Sequence, residues 1–330
     1  MSRNVAVIGS GGWGLALANH IAEKGNNVKV WSFTKEEKDY LNSRHRSIYL
    51  PNTKINENVV CSNDLKETIE GTDMILHVSP SRFTRSIFRS YKDYVGDKPV
   101  VICSKGFEDE SLTTLDGVMK EELPNVKICA LSGPSFANEV ANRIPTAVIL
   151  ASEDEKLLDD LAEFFSNEYM RVYKSKDVKG VEVGGALKNI MAFCAGACAE
   201  LDYGTNAQAA LMTRGLAEIA RLGIKMGANN ETFYGLSGLG DLILTCSSDE
   251  SRNRRAGKLI AKGLSMDETR NKIAATIESF DNIQVAKKLS EKYDVEMPIV
   301  DAAYDVVFNG VDVREAGKRL MTRQLKFENE

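Results

Sequence analysis

The chain is predicted to fold as an α/β, Rossmann-like parallel sheet with helices on both faces, followed by an all-α C-terminal domain. Three observations carry this expectation. Short apolar runs alternate with helical patterns through the first half, as successive βαβ units require. A glycine-rich turn follows the first of those runs directly. After about residue 180, β-branched runs become scarce and long helical patterns replace them. The expected division is therefore residues 1–180 against residues 181–330.

Taken in order, Val5-Ala6-Val7-Ile8-Gly9 is a β-rich run that ends in glycines, and Ala16–Lys24 reads as a helix closed by Gly25 and Asn26. Val28–Trp31 is a second strand, and Met74–Val78, Val100–Cys103, Val126–Leu131 and Ala147–Leu150 are further ones. Ser111–Leu123 and Glu155–Asn167 read as helices between them. In the second half, Gly180–Leu201 is apolar, rich in small residues and too long for a strand, so it predicts a buried helix. Ala207–Met226, Asp267–Thr276, Ile283–Tyr293 and Pro298–Phe308 also read as helices.

Composition narrows the function. A length of 330 residues suits two domains, and 43% hydrophobic with 27% charged residues is the balance of an ordinary globular protein. The net charge of −5 disfavours a nucleic-acid or membrane-surface partner. An anionic substrate would need a local cationic pocket. No apolar run approaches the ~18–20 residues of a membrane span, and the first residues lead straight into a strand with no leader pattern. The six cysteines are scattered, with no CxxC pair, which points to a reducing, cytoplasmic setting.

Gly9-Ser10-Gly11-Gly12-Trp13-Gly14 fits GxGxxG. Placed between a strand and a helix, the pattern has a physical reading. Gly9 permits the tight turn, Gly11 lets the backbone approach a pyrophosphate, and Gly14 lets helix and strand pack closely. The helix N-terminus then offers free N–H groups to phosphate, so a nicotinamide dinucleotide, NAD(P)H, is the expected cofactor. In Trp31-Ser32-Phe33-Thr34-Lys35, at the end of the second strand, no carboxylate appears before Glu36. Ser32, Thr34 and Lys35 suit a 2′-phosphate, which leans the reading towards NADP.

The residue types left for chemistry are few. His20 and His77 lie within a helix and an apolar strand and read as structural, and there is no HExxH, Cys/His cluster or G-x-S-x-G elbow. Lys188 stands on an otherwise apolar helix among Gly184, Gly185, Ala192 and Ala195. A lysine is seldom buried unpaired, and as an acid/base near neutrality it must fall from ~10.4 to ~7–8. Gly235-Leu236-Ser237-Gly238-Leu239-Gly240-Asp241 offers a carboxylate partner on a tightly shaped turn. Ser251-Arg252-Asn253 puts a hydroxyl, a guanidinium and an amide in a row suited to phosphate. Ser104-Lys105-Gly106 and Ser132–Ala137 each follow a strand at its carboxyl end, where open α/β sheets bind ligands.

These motifs, with Lys105-Gly106-Phe107-Glu108, Thr213–Glu218, Thr245-Cys246 and Gly184–Asn189, run in order along the whole chain, which resembles the bacterial NAD(P)-dependent glycerol-3-phosphate dehydrogenases. The resemblance implies reversible reduction of dihydroxyacetone phosphate to sn-glycerol 3-phosphate for phospholipid synthesis. It implies Lys188 as proton donor and acceptor. It places Lys105, Gly133, Ser135, Asp241, Ser251, Arg252 and Asn253 around the substrate. It places Gly9, Gly11, Gly12, Trp13, Gly14, Phe33, Tyr49, Lys105, Ala137, Arg252 and Glu278 at the cofactor. Phe33 departs from the family's usual His or Arg, Ser79-Pro80-Ser81-Arg82 from Val-Pro-Ser-Gln, and Ile277-Glu278-Ser279 from Val-Glu-Gly. No metal is implied. The apolar helical half is expected to pair two subunits. Two other readings stay open: a lysine-based 3-hydroxyacid dehydrogenase, which would bind a carboxylate instead of a phosphate, and a non-catalytic dinucleotide sensor, which would not need Lys188, Asp241 and Arg252 together.

Overall fold

The computed structural model describes residues 2–328. The ten strands are β1 (Asn4–Ile8), β2 (Asn27–Trp31), β3 (Val59–Ser62), β4 (Met74–His77), β5 (Val100–Ile102), β6 (Phe107–Glu108), β7 (Thr113–Thr114), β8 (Ile128–Ser132), β9 (Thr146–Ala151) and β10 (Met170–Ser175). Eight of them form one sheet in the order β10-β9-β8-β5-β4-β1-β2-β3, and β6 with β7 makes a small antiparallel ribbon. β1 is central, with Val5 opposite Val28 on one side and Met74 on the other. Helices cover both of its faces, so Val5, Ala6, Val7 and Ile8 are all buried, and an unbroken apolar run is what such a strand needs.

The chain runs from β1 outward to β2 and β3, then returns to β4 on the other side. The carboxyl ends of β1 and β4 therefore bound the crevice where strand order reverses. Hydroxyls stitch this edge together: Ser79 donates to the Ile8 carbonyl at 3.0 Å, and Ser104 to the Ser79 carbonyl at 2.5 Å.

One pairing departs from the all-parallel expectation: β9 is antiparallel to β8. The link between them holds only the five-residue helix Ala137–Ala141, too short to carry the chain back along the sheet for a parallel crossover. β3 and β10 have no counterpart in the sequence reading. The first helix begins at Gly12, not Ala16, because the glycine turn winds directly into it. The segment expected as a helix over 111–123 holds β7, paired with β6 just before it, and a shorter helix at Leu115–Glu122.

Beyond β10 the described chain is helical. The helix Val178–Glu200 runs through the middle, and every residue from Gly180 to Phe193 is buried. An all-round apolar surface is what a helix enclosed by others presents. It packs against helices Gly204–Lys225, Asp241–Ser247, Arg252–Ala261 and Glu278–Lys292. The approach to Arg252–Ala261 is close: a methyl group added at Gly196 would overlap the Arg254 carbonyl, and one at Gly257 the Phe193 carbonyl. No described helix is long and apolar enough to cross a membrane.

Candidate active site

Lys188 comes from the middle of the central helix and is 6% exposed. Its Nζ donates to Asp241 Oδ1 at 3.0 Å and to Thr245 Oγ1 at 2.7 Å. Asp241 is 1% exposed, and its other oxygen accepts from Lys105 Nζ at 2.6 Å. Lys105 also donates to the Gly133 carbonyl at 3.1 Å. One carboxylate thus bridges two ammonium groups, and the strand-end loops after β5 and β8 meet the helical half at that point.

The electrostatics follow from this arrangement. Burial pushes the Lys188 ammonium down; Asp241 resists and the Lys105 cation assists, and the result is about 8. Burial pushes the Asp241 carboxyl up, but the two lysines more than offset it, so it lies below the ordinary carboxylate value. Lys188 is therefore able to hold or yield a proton near neutral pH.

Backbone shape places Asp241. The Leu236–Gly240 segment is a wide π-helical turn in which the Gly240 N–H reaches back to the Gly235 carbonyl at 3.1 Å. Such turns recur at functional sites. It delivers Asp241 as the first residue of the helix Asp241–Ser247, with Thr245 one turn later on the same face. Small residues let the central helix close on this turn, since a Cβ at Gly184 would lie 2.8 Å from the Ser237 carbonyl.

Around the cluster, the Ser135 hydroxyl donates to the Gly133 carbonyl at 3.0 Å. Asn253 ties three helices: its Nδ2 donates to Asn189 Oδ1 at 2.9 Å, and its Oδ1 accepts from Ser279 N–H at 3.0 Å. Ser251 is buried and caps the helix Arg252–Ala261, accepting from Arg254 N–H at 3.2 Å. Arg252 is exposed and has no hydrogen-bond or ion-pair partner among the described residues; Glu278 is its negatively charged neighbour. The buried hydroxyls of Ser132, Ser237 and Ser279 have no hydrogen-bond partner among the described residues.

The glycine turn lies along the same sheet edge. Gly9 has φ of +129°, and a Cβ there would lie 2.7 Å from the Val78 carbonyl, so the β1–β4 crevice admits only glycine. A Cβ at Gly14 would overlap the Gly9 carbonyl, whereas one at Gly11 would meet nothing within 4 Å. Gly11 thus faces open space beside a helix start that no side chain caps and no acidic residue shields. The Trp13 Nε1 is buried without a partner. This cradle suits a pyrophosphate and an adjoining acceptor, so the residues present fit a nicotinamide dinucleotide. Tyr49 and Ala137 flank Gly12, whose added Cβ would lie 3.7 and 3.6 Å from theirs. Glu278 accepts from the Ser81 N–H at 3.3 Å and the Ser81 hydroxyl at 2.5 Å, linking the helical half to the loop after β4. Phe33 stands apart, 84% exposed, edge-on to Trp31.

The histidines His20 and His77 are structural: His20 Nε2 is tied to the Phe165 carbonyl at 2.7 Å, and burial pushes His77 down to about 3. Two residues escaped the sequence reading. Thr245 was given no role, although its spacing of four from Asp241 places both on one helical face. Glu37 lies beyond the strand end where a carboxylate was sought, yet its side chain returns there and accepts from Ser32 Oγ at 2.6 Å and Ser10 Oγ at 2.7 Å.

Comparison with known proteins agrees with this geometry. Residues 4–158 match the family model for the NAD-dependent glycerol-3-phosphate dehydrogenase N-terminus, and residues 177–318 match the one for its C-terminus. A glycerol-3-phosphate dehydrogenase [NAD(P)+] of Agathobacter rectalis is 41% identical across 100% of this chain and 98% of its own length. One from Enterococcus faecalis is 43% identical across 100% and 98%. The crystal structure of the Coxiella burnetii glycerol-3-phosphate dehydrogenase superimposes with a TM-score of 0.95 at 36% identity, covering 98% of this chain and 99% of that one. The chain belongs to the NAD-dependent glycerol-3-phosphate dehydrogenases, a family of NAD(P)-dependent oxidoreductases.

Proposed function

We propose that this chain interconverts dihydroxyacetone phosphate and sn-glycerol 3-phosphate, with Lys188 as the acid/base. The observation that carries this assignment is the buried Lys188 ammonium, held at about 8 and sharing Asp241 with Lys105 at the carboxyl edge of the sheet. Residues 1–180 hold the dinucleotide through Gly9, Gly11, Gly12, Trp13 and Gly14, with Phe33, Tyr49 and Ala137 along its length, and Glu278 reaches it from the helical half. Residues 181–330 supply most of the substrate-facing groups. When bound, NAD(P)H donates the hydride that reduces C2 of the ketone, and NAD(P)+ takes it back in reverse.

The chain's own residues manage the proton and the phosphate. Lys188 Nζ gives its proton to the oxygen on C2 during reduction and removes the hydroxyl proton during oxidation. Asp241 and Thr245 fix the direction of that Nζ. Lys105 supplies a second positive charge at the reacting end, where preorganised charge has its largest effect. Arg252 offers a planar fork to the phosphate, with Ser251 and Asn253 beside it, and the Gly133–Ser135 loop holds the triose. The exposed, unpaired state of Arg252 suits a residue whose partner is a ligand. The proposal also includes a cytoplasmic setting, supported by six cysteines that are all free thiols, and twofold pairing through the helical half.

The test is Lys188→Ala. Its kcat for dihydroxyacetone phosphate, followed by loss of nicotinamide absorbance, should fall about 10²–10⁴-fold, while NAD(P)H binding by titration stays at the parent level. Near-parent turnover would remove Lys188 from the acid/base role.

A further inference from the structure

The end of β2 is where a doubly wound fold meets the adenosine ribose, and a carboxylate there separates NAD from NADP by binding the 2′-hydroxyl and repelling a 2′-phosphate. In this chain the strand end itself carries no acid: Trp31 is followed by Ser32, Phe33, Thr34 and Lys35. The fold supplies one from elsewhere. Glu37 lies in the first turn of the helix Lys35–Arg44, which Thr34 caps. Its Oε2 accepts from Ser32 Oγ at the strand end and from Ser10 Oγ inside the glycine turn, and its Oε1 accepts from the Tyr49 hydroxyl at 2.7 Å. Three hydroxyls from three loops thus pin one carboxylate between the glycine turn and β2. Two oxygens offer about four acceptor positions, and Ser10 Oγ, 2.9 Å from Ser32 Oγ, can turn its one proton to that hydroxyl and so free a position for a further donor.

The surroundings favour the charged form. Burial pushes the Glu37 carboxyl up, but the hydrogen bonds from Ser32, Ser10, Tyr49 and Thr34 outweigh it and leave it below its ordinary value. Glu37 borders a mainly apolar cavity of about 270 Å³ that Leu15, Tyr40, Leu41, Ile48 and Tyr49 also line. That wall carries two carboxylates and one guanidinium. Lys38, on the same helix, is paired with Asp39 at 3.4 Å. A 2′-phosphate here would meet the fixed Glu37 anion, with Glu36 and Arg46 as the other charged residues around the cavity.

We infer that Glu37 is a specificity-determining residue that selects NAD(H) over NADP(H) by presenting a pinned carboxylate to the adenosine ribose. This reverses the lean towards NADP drawn from Ser32, Thr34 and Lys35: those residues flank the site, and Ser32 spends its hydroxyl on holding the carboxylate. The inference rests on the dehydrogenase reading above.

The experiment is calorimetric titration of the full chain, without triose, with NADH and with NADPH, beside kcat/KM for each. NADH should bind about tenfold more tightly or better, a difference of 1.4 kcal/mol or more. Glu37→Gln keeps the side-chain shape and removes the charge; it should weaken NADH, strengthen NADPH and bring the two within about threefold. A purely structural defect would weaken both alike and leave their ratio where it was. Equal affinities in the parent chain, or a ratio unmoved in the variant, would overturn the inference while leaving the dehydrogenase reading intact. Binding of neither nucleotide would overturn both.

Discussion

Asp241 is held by two cations at once, and the proton affinity of Lys188 depends on how that carboxylate is shared. Lys105 draws part of its field away and adds a repulsion of its own, and both effects favour loss of the Lys188 proton. Lys105→Met should therefore raise the Lys188 value from about 8 towards its ordinary 10.5. In a pH series of kcat/KM for ketone reduction, which needs the protonated amine, the alkaline limb near 8 should move upward. Asp241→Asn should move it downward, because only the repulsion between the lysines remains. That variant also leaves buried cations without their counter-charge, a loss of about 3–5 kcal/mol in denaturant unfolding. Limbs that stay in place in both variants would detach the titration from this cluster.

Among the elements, the crossing of the central helix with Arg252–Ala261 sets how far apart Arg252 and Lys188 lie, the residues proposed to bind phosphate and transfer the proton. It is fixed by backbone meeting backbone at Gly196 and Gly257. Gly196→Ala should destabilise the chain by about 1–3 kcal/mol, the usual effect of overpacking, and should raise the KM for the triose, since Arg252 and Asn253 ride on the displaced helix. A parent-like melting curve would contradict this. Much of this level is legible in the sequence: the unbroken apolar runs of β1, β4 and β5, the GxGxxG turn, and the long small-residue helix with its single lysine are local patterns with one physical reading. What escaped is non-local or at an edge. β3 and β10 close the two ends of the sheet, so their outer residues are solvated, as Val60 and Tyr173 are, and their apolar stretches are short or interrupted by polar residues. The reversed direction of β9 depends on the length of a connection, not on periodicity. Glu37 reaches the end of β2 only after the intervening residues have turned into a helix, and a search along the strand passes it by.

Across the whole molecule, the two halves are clamped by a few polar links and a shared apolar seam. Lys105 meets Asp241, Ser81 meets Glu278, and Ala130 and Ala151 of the sheet pack with Val178 and Val181 of the central helix. We expect one unfolding transition in scanning calorimetry, moved upward as a unit by dinucleotide at 100 times its Kd, equivalent to about 2.7 kcal/mol. Two separable transitions, only one of them sensitive to the nucleotide, would show that the halves melt independently. The surrounding field is negative, with a net charge of −5. In the proposed reaction a phosphorylated triose is drawn in against it by Arg252 and by the surplus positive charge of the Lys105–Asp241–Lys188 group. Once Lys188 has surrendered its proton, that surplus is gone, and Arg252 alone opposes the acidic shell. Catalysis in the reducing direction thereby slackens the enzyme's grip on its own product. Glycerol 3-phosphate should accordingly dissociate more readily as pH climbs through about 8, most visibly in dilute salt, so that a single ionisation both completes the chemistry and opens the way out.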